Sequence, residues 1–127
     1  MSLPTVLIVD DEPDVRKLLH LVMDNGDWRV IDAADGRQAM SKLESYRPDL
    51  VLLDIMLQGK PDGLELLELI KKDRQRNAKV IMVTARAQYD DVLKAAQMSC
   101  DAYVVKPFTQ DHLMETIDKV MNEKSAA

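Results

Sequence analysis

Residues 6–19 read VLIVDDEPDVRKLL: four apolar residues run straight into three carboxylates, and a proline then opens an amphipathic stretch. Val6 to Val9 have the content of a strand buried on both faces. Pro13 suits the first turn of a helix, where its missing N–H removes nothing the helix needs. Between strand and helix stand Asp10, Asp11 and Glu12. Two carboxylates at roughly 4 Å repel by about 4 kcal/mol at an effective dielectric of about 20. Acids gathered at the mouth of a buried strand therefore require compensation.

The 127 residues suit one domain with a single core. We expect that domain to fill residues 1–127, ordered over about 4–122, with the tail NEKSAA frayed. A hydrophobic fraction of 46% with 31% charged residues is the profile of a globule rather than a disordered chain. The net charge of -5 argues against direct nucleic-acid binding. Cys100 is the single cysteine, so no internal disulfide forms and a reducing compartment is the natural setting. With no leader and no membrane-length apolar run, the expected location is cytoplasmic, without a membrane partner.

Strand-like and helix-like segments alternate along the chain. TVLIV, WRVIDA, DLVLLD, AKVIMVT and AYVV have strand length and β-branched content. Val15, Leu18, Leu19 and Val22 recur at helical spacing, as do Leu66, Leu67 and Ile70, then Val92, Leu93 and Ala96, then Leu113, Ile117, Val120 and Met121. A weaker helix is carried by Ala39, Met40 and Leu43. Asp35 precedes Gln38, and Asp62 precedes Glu65, at capping-box spacing, and Thr109 can cap the last helix. Five strand–helix units predict an α/β fold, a doubly wound parallel sheet with helices on both faces. Function in such sheets sits at the carboxyl ends of the strands.

Those ends carry Asp10 and Asp11, then Asp54, Thr84 and Lys106. If the first and third strands are neighbours, their ends lie only about 5 Å apart, and the three aspartates form one acidic pocket. Hard oxygen ligands without histidine or cysteine favour Mg²⁺, with Mn²⁺ as second choice, and disfavour zinc. A hydroxyl and an ammonium facing such a pocket are what a phosphoryl group needs. The chemistry indicated is phosphoryl transfer onto Asp54 as nucleophile, driven by positioning and charge neutralisation. Singly, Asp10 and Asp11 could be helix caps, though that is the lesser reading of the pair, while Asp54 alone is more often a turn residue and Thr84 alone more often a strand-end hydroxyl. Their joint placement at one sheet edge is what carries the reading.

VLIVDDE, VLLDIM, VTA and AYVVKPF together resemble the receiver domain of two-component response regulators, over essentially the whole chain. The resemblance implies a flavodoxin-like, CheY-like (βα)5 fold with strand order 2-1-3-4-5. It implies that Asp54 accepts a phosphoryl group from phosphohistidine on a sensor histidine kinase or histidine phosphotransfer protein. Asp11, Asp54 and the backbone carbonyl of Met56 would hold Mg²⁺ directly and Asp10 through water, while Thr84 and Lys106 would bind phosphoryl oxygens. Tyr103 matches the family's rotating aromatic, and the bond between Lys106 and Pro107 matches a peptide that is usually cis in the family. Phosphorylation would draw Thr84 inward and let Tyr103 turn, reshaping the face of the fourth helix, fifth strand and fifth helix. A downstream output domain or protein would read that face, which could also pair two copies in a phosphorylation-dependent dimer.

The chain departs from the family pattern in three places. Gln58 stands where proline is typical, with one extra residue before Asp62. Ser99 replaces a usual glycine, at about 1–2 kcal/mol if that position is left-handed. Arg86, two residues past Thr84, is charged at a variable position and, like Met56, is a candidate for tuning the phosphoryl lifetime. Two other functions compete: an Mg²⁺-dependent phosphohydrolase with an aspartyl nucleophile, and a receiver-like binding module that works without phosphorylation. A mononucleotide site ranks lower, because the acidic first loop lacks a phosphate cradle.

Overall fold

The computed structural model describes residues 2–73 and 75–122. Its elements run β1 (Thr5–Val9), α1 (Pro13–Met23), β2 (Arg29–Ala33), α2 (Gly36–Tyr46), β3 (Leu50–Leu53), α3 (Gly63–Lys72), β4 (Lys79–Thr84), α4 (Tyr89–Gln97), β5 (Ala102–Val105) and α5 (Gln110–Asn122). The strands form one parallel sheet in the order β2-β1-β3-β4-β5. The chain therefore has the doubly wound α/β architecture anticipated from its pattern. Residues 123–127, which make up most of the tail expected to fray, lie outside the described residues.

Alternation along the strands divides the core in two. Leu7, Val9, Val51, Leu53, Val80 and Met82 face α2, α3 and α4 through Leu43, Leu66, Leu67, Ile70 and Ala95. Val6, Ile8, Leu50, Leu52, Ile81 and Val83 face α1 and α5 through Leu19, Met23, Leu113 and Ile117. Both faces of the central strands are covered, which is why β1, β3 and β4 read as continuous apolar runs.

The helix starts follow their caps. Asp62 and Glu65 form a complete capping box at α3. At α2 the Asp35 carboxylate accepts from the Gln38 N–H, but Gln38 reaches past the cap to the Ala34 N–H, so the box is displaced by one residue. Thr109 caps α5 through the His112 N–H.

Helix α4 departs from its apolar periodicity. Val92 and Leu93 are exposed, and the residues turned inward are Asp91 and Ala95. The basic end of α3 is not fully solvated either. Lys71 bonds Asp101 at 2.6 Å in a mostly buried pair, and Asp101 also accepts the Val80 N–H at 2.7 Å.

Among the described residues two that bear side chains adopt left-handed backbone: Arg47, closing α2 at φ 46°, and Ser99, after α4 at φ 68°. Glycine meets such angles without the Cβ penalty, though it gives back part of the gain as unfolded-state entropy. Arg47→Gly and Ser99→Gly are each expected to stabilise the protein by about 0.5–1 kcal/mol. Urea-unfolding midpoints at constant slope measure the gain.

Candidate functional site

The sheet register builds the site. Val9 pairs with Leu53, and one step further the Asp54 N–H donates to the Val9 carbonyl at 3.0 Å. The Asp10 N–H donates to the Ala33 carbonyl at 3.2 Å, and the Lys106 N–H to the Thr84 carbonyl at 2.9 Å. Asp10, Asp54 and Lys106 are thus the first residues after their strands and Thr84 the last within its own, and all four are still tied to the ladder. The Lys106–Pro107 peptide is cis, as is Lys60–Pro61.

Asp10 and Asp54 are 1% and 2% exposed, which places two carboxylates in the interior side by side. The Lys106 ammonium lies between them, 2.6 Å from Asp10 Oδ2 and 3.0 Å from Asp54 Oδ2. The remaining oxygens are also held: Asp10 Oδ1 accepts the Glu12 N–H and Asp54 Oδ1 the Met56 N–H, each at 2.9 Å. Arg16 donates to the Asp10 carbonyl at 2.8 Å. Asp10 therefore spends its carboxylate on Lys106 and the Glu12 N–H. The α1 N-cap residue is Glu12, whose side chain makes no capping bond.

Carboxylate oxygens of Asp10, Asp11, Glu12 and Asp54 lie within 4.8 Å of one another. Hard oxygens at that spacing fit a Mg²⁺ ion and not a softer metal. Asp11 is half-buried and Glu12 exposed, so the cup opens to solvent on that side. Glu12 joins the acidic cluster although the sequence singled out only the three aspartates.

Thr84 is fully buried at the end of β4, and its hydroxyl accepts the Arg86 N–H at 3.3 Å. The Arg86 carbonyl accepts the Tyr103 hydroxyl. Tyr103 is thus already turned onto this loop, and burial together with the Asp91 charge pushes its phenol up to about 12. The Arg86 guanidinium points to Asp91, at 2.8 Å from Nη2 and 3.3 Å from Nε.

Asp91 went unnoticed in the sequence because an acid in the first turn of a helix reads as an ordinary dipole partner. Gly63 carried no signal either. A Cβ there would overlap the Asp54 carbonyl, so α3 begins in direct contact with the Asp54 backbone.

Burial, only partly offset by Lys106, pushes the Asp10 carboxyl up. Burial pushes the Lys106 ammonium down, but its bonds to Asp10 and Asp54 outweigh that and leave it raised.

The sequence matches the response regulator receiver domain family over residues 6–118. It is 38% identical to the chemotaxis protein CheY of Pseudomonas aeruginosa, covering 91% of this chain and 94% of that protein. It is 33% identical to the phosphate regulon transcriptional regulatory protein PhoB of Klebsiella pneumoniae, covering 94% of this chain and 52% of the relative. The chain thus spans about half the length of the PhoB relatives it matches. The crystal structure of a CheY-like receiver domain protein from Methanospirillum hungatei JF-1 superposes with a TM-score of 0.85 at 32% identity, covering 94% of this chain and 95% of that one.

The chain belongs to the response regulator receiver domain family. It is the receiver domain of a two-component response regulator, a class that binds Mg²⁺ at an acidic pocket, receives its signal from histidine kinases and acts on output domains or partners. Among the described residues no helix is long and apolar enough to cross a membrane.

The charge balance of the cup generates two expectations. An aspartate raised by burial favours the folded state most when protonated, so its contribution is greatest below pH 3.8 and falls as pH rises through the folded value. Asp10→Asn is therefore expected to stabilise the metal-free protein at pH 7, with the gain vanishing at pH 3 in paired thermal melts. Lys106→Met leaves two buried carboxylates without their cation and is expected to cost about 3–5 kcal/mol at neutral pH. Because the Lys106 pKa is raised above 10.5, the stability it contributes is present below that pH and lost as pH climbs through the folded value. Urea titrations carried upward from pH 10 should show that loss in the wild type and not in Lys106→Met.

Proposed function

We propose that this receiver is a switch thrown by phosphorylation of Asp54, with phosphohistidine on a histidine kinase or histidine phosphotransfer protein as donor. The observation that carries the reading is the Lys106 ammonium held between two buried carboxylates, Asp10 and Asp54, at 2.6 and 3.0 Å. A carboxylate oxygen of Asp54 attacks phosphorus; the new P–O bond forms as the P–N bond breaks, and the imidazole departs with its electron pair. The Met56 N–H fixes one Asp54 oxygen and so orients the nucleophile. Lys106, already beside Asp54, meets the incoming phosphoryl oxygens, and the Thr84 hydroxyl at the neighbouring strand end donates to another. Asp11, Asp54 and the Met56 backbone carbonyl would hold Mg²⁺, or Mn²⁺ in its place, with Asp10 acting through water, and the bound ion would supply neutralisation of the phosphoryl charge. Met56 and Arg86 set how long the phosphoryl survives.

The output is read on the face of α4, β5 and α5. Tyr89, Val92, Leu93 and Val105 are exposed there, apolar surface that a partner or a second copy can cover. The Tyr103 hydroxyl joins that face to the Thr84 loop through the Arg86 carbonyl, so movement of Thr84 toward a phosphoryl group is felt at β5. The domain fills the whole chain, and its setting is the cytoplasm.

Incubation with a small phosphodonor and Mg²⁺ is expected to add the mass of one phosphoryl group to the wild type and none to Asp54→Ala. Asp10→Asn should weaken Mg²⁺ binding by about 10–100-fold while leaving the acceptor in place, read by the Mg²⁺ dependence of the same reaction. Arg86→Ala should alter the rate at which the phosphoryl group is lost.

A further inference from the structure

Three carboxylates are buried among the described residues: Asp10, Asp54 and Asp91. The first two belong to the acidic cup. Asp91 lies at the third position of α4, from which an acid ordinarily reaches back to the N–H of the capping residue. Here both of its oxygens are spent on Arg86 instead, at 2.8 Å to Nη2 and 3.3 Å to Nε. Asp91 is 6% exposed, whereas the Arg86 side chain is half exposed. The buried acid depends on the arginine for its counter-charge, and the arginine has solvent freedom to leave.

Arg86 also stands at the edge where a phosphoryl group would arrive. Its N–H donates to the Thr84 hydroxyl, and Thr84 ends β4, the strand beside β3, whose end carries Asp54. A phosphoryl group adds up to about two negative charges there, and a planar guanidinium is the side chain best matched to phosphate oxygens.

We propose that Asp91 is a positioning residue that competes with the phosphoryl group for Arg86. In the unphosphorylated protein it holds the guanidinium on the first turn of α4. Phosphorylation of Asp54 draws Arg86 away and strips a buried acid of its partner, which loosens that turn and couples the site to the output face. By linkage, whatever Asp91 gains from Arg86 is subtracted from the affinity of the site for a phosphoryl group. This inference rests on Asp54 being the phosphoacceptor.

Beryllofluoride, a non-covalent phosphoryl mimic, tests the competition in the presence of saturating Mg²⁺, with binding followed by fluorine NMR. Asp91→Asn is expected to bind it at least about five-fold more tightly than the wild type, and Arg86→Ala more weakly. In an Arg86→Ala background Asp91→Asn should change nothing, whereas a merely structural role for Asp91 would shift affinity in both backgrounds. Should Arg86→Ala not fold, the Arg86 Nε–H resonance of the wild type supplies the second readout. It should move on beryllofluoride addition, and an unmoved resonance overturns the proposal. Wild-type binding with no tightening in Asp91→Asn defeats the inference alone. No binding by the wild type, together with no phosphoryl mass on Asp54, defeats the phosphoacceptor reading and the inference with it.

Discussion

An ammonium group between two buried carboxylates is the interaction on which the rest of the site depends. Asp10 and Asp54 are brought together by strand order, since β1 and β3 are neighbours and both acids sit one residue past their strands. Without a cation they would repel in a setting that screens little. Lys106 reaches them from the end of β5, across the intervening β4. The charge that stabilises the resting protein is therefore the same charge that would receive a phosphoryl group, and it arrives already placed.

That economy leaves the metal-free site under tension. Burial holds the Asp10 carboxyl up even with Lys106 at 2.6 Å, so the ammonium compensates the cup only in part. A cup still short of positive charge suits a divalent cation. Sites of this kind sacrifice some folding stability for function.

The fold was legible because each central strand is apolar on both faces and every helix start except that of α4, which follows Gln88, is marked by proline, a capping acid or threonine. The strand-end residues could then be read off in order, and the register brings Asp10, Asp54 and Lys106 together. Legibility failed where a contact depends on the third dimension alone. Val92 and Leu93 satisfy helical spacing, yet α4 turns Asp91 inward, because a buried acid paired to Arg86 looks the same in sequence as an exposed one. Lys71 stands near a helix end, where a lysine is ordinarily solvated, but a carboxylate thirty residues away, Asp101, draws it in. Ser99 shows the reverse case: a local conformation inferred from a missing glycine is found with its positive φ.

The loop after Asp54 is tied at several points and slack at one. Ile55 and Leu57 are buried, Pro61 abuts Gly36 with no room for a Cβ, Asp62 is locked into the α3 cap, and Gly63 touches the Asp54 backbone. Met56 is exposed but its N–H is held by Asp54, whereas Gln58, Gly59 and Lys60 form an exposed run, with Gly59 at φ 77° and open space around it. An added residue in this loop is thus absorbed in a three-residue blister that leaves the ties on Asp54 untouched. Evolution can lengthen or recompose that blister, and so vary what an approaching partner meets, without moving the Asp54 carboxylate.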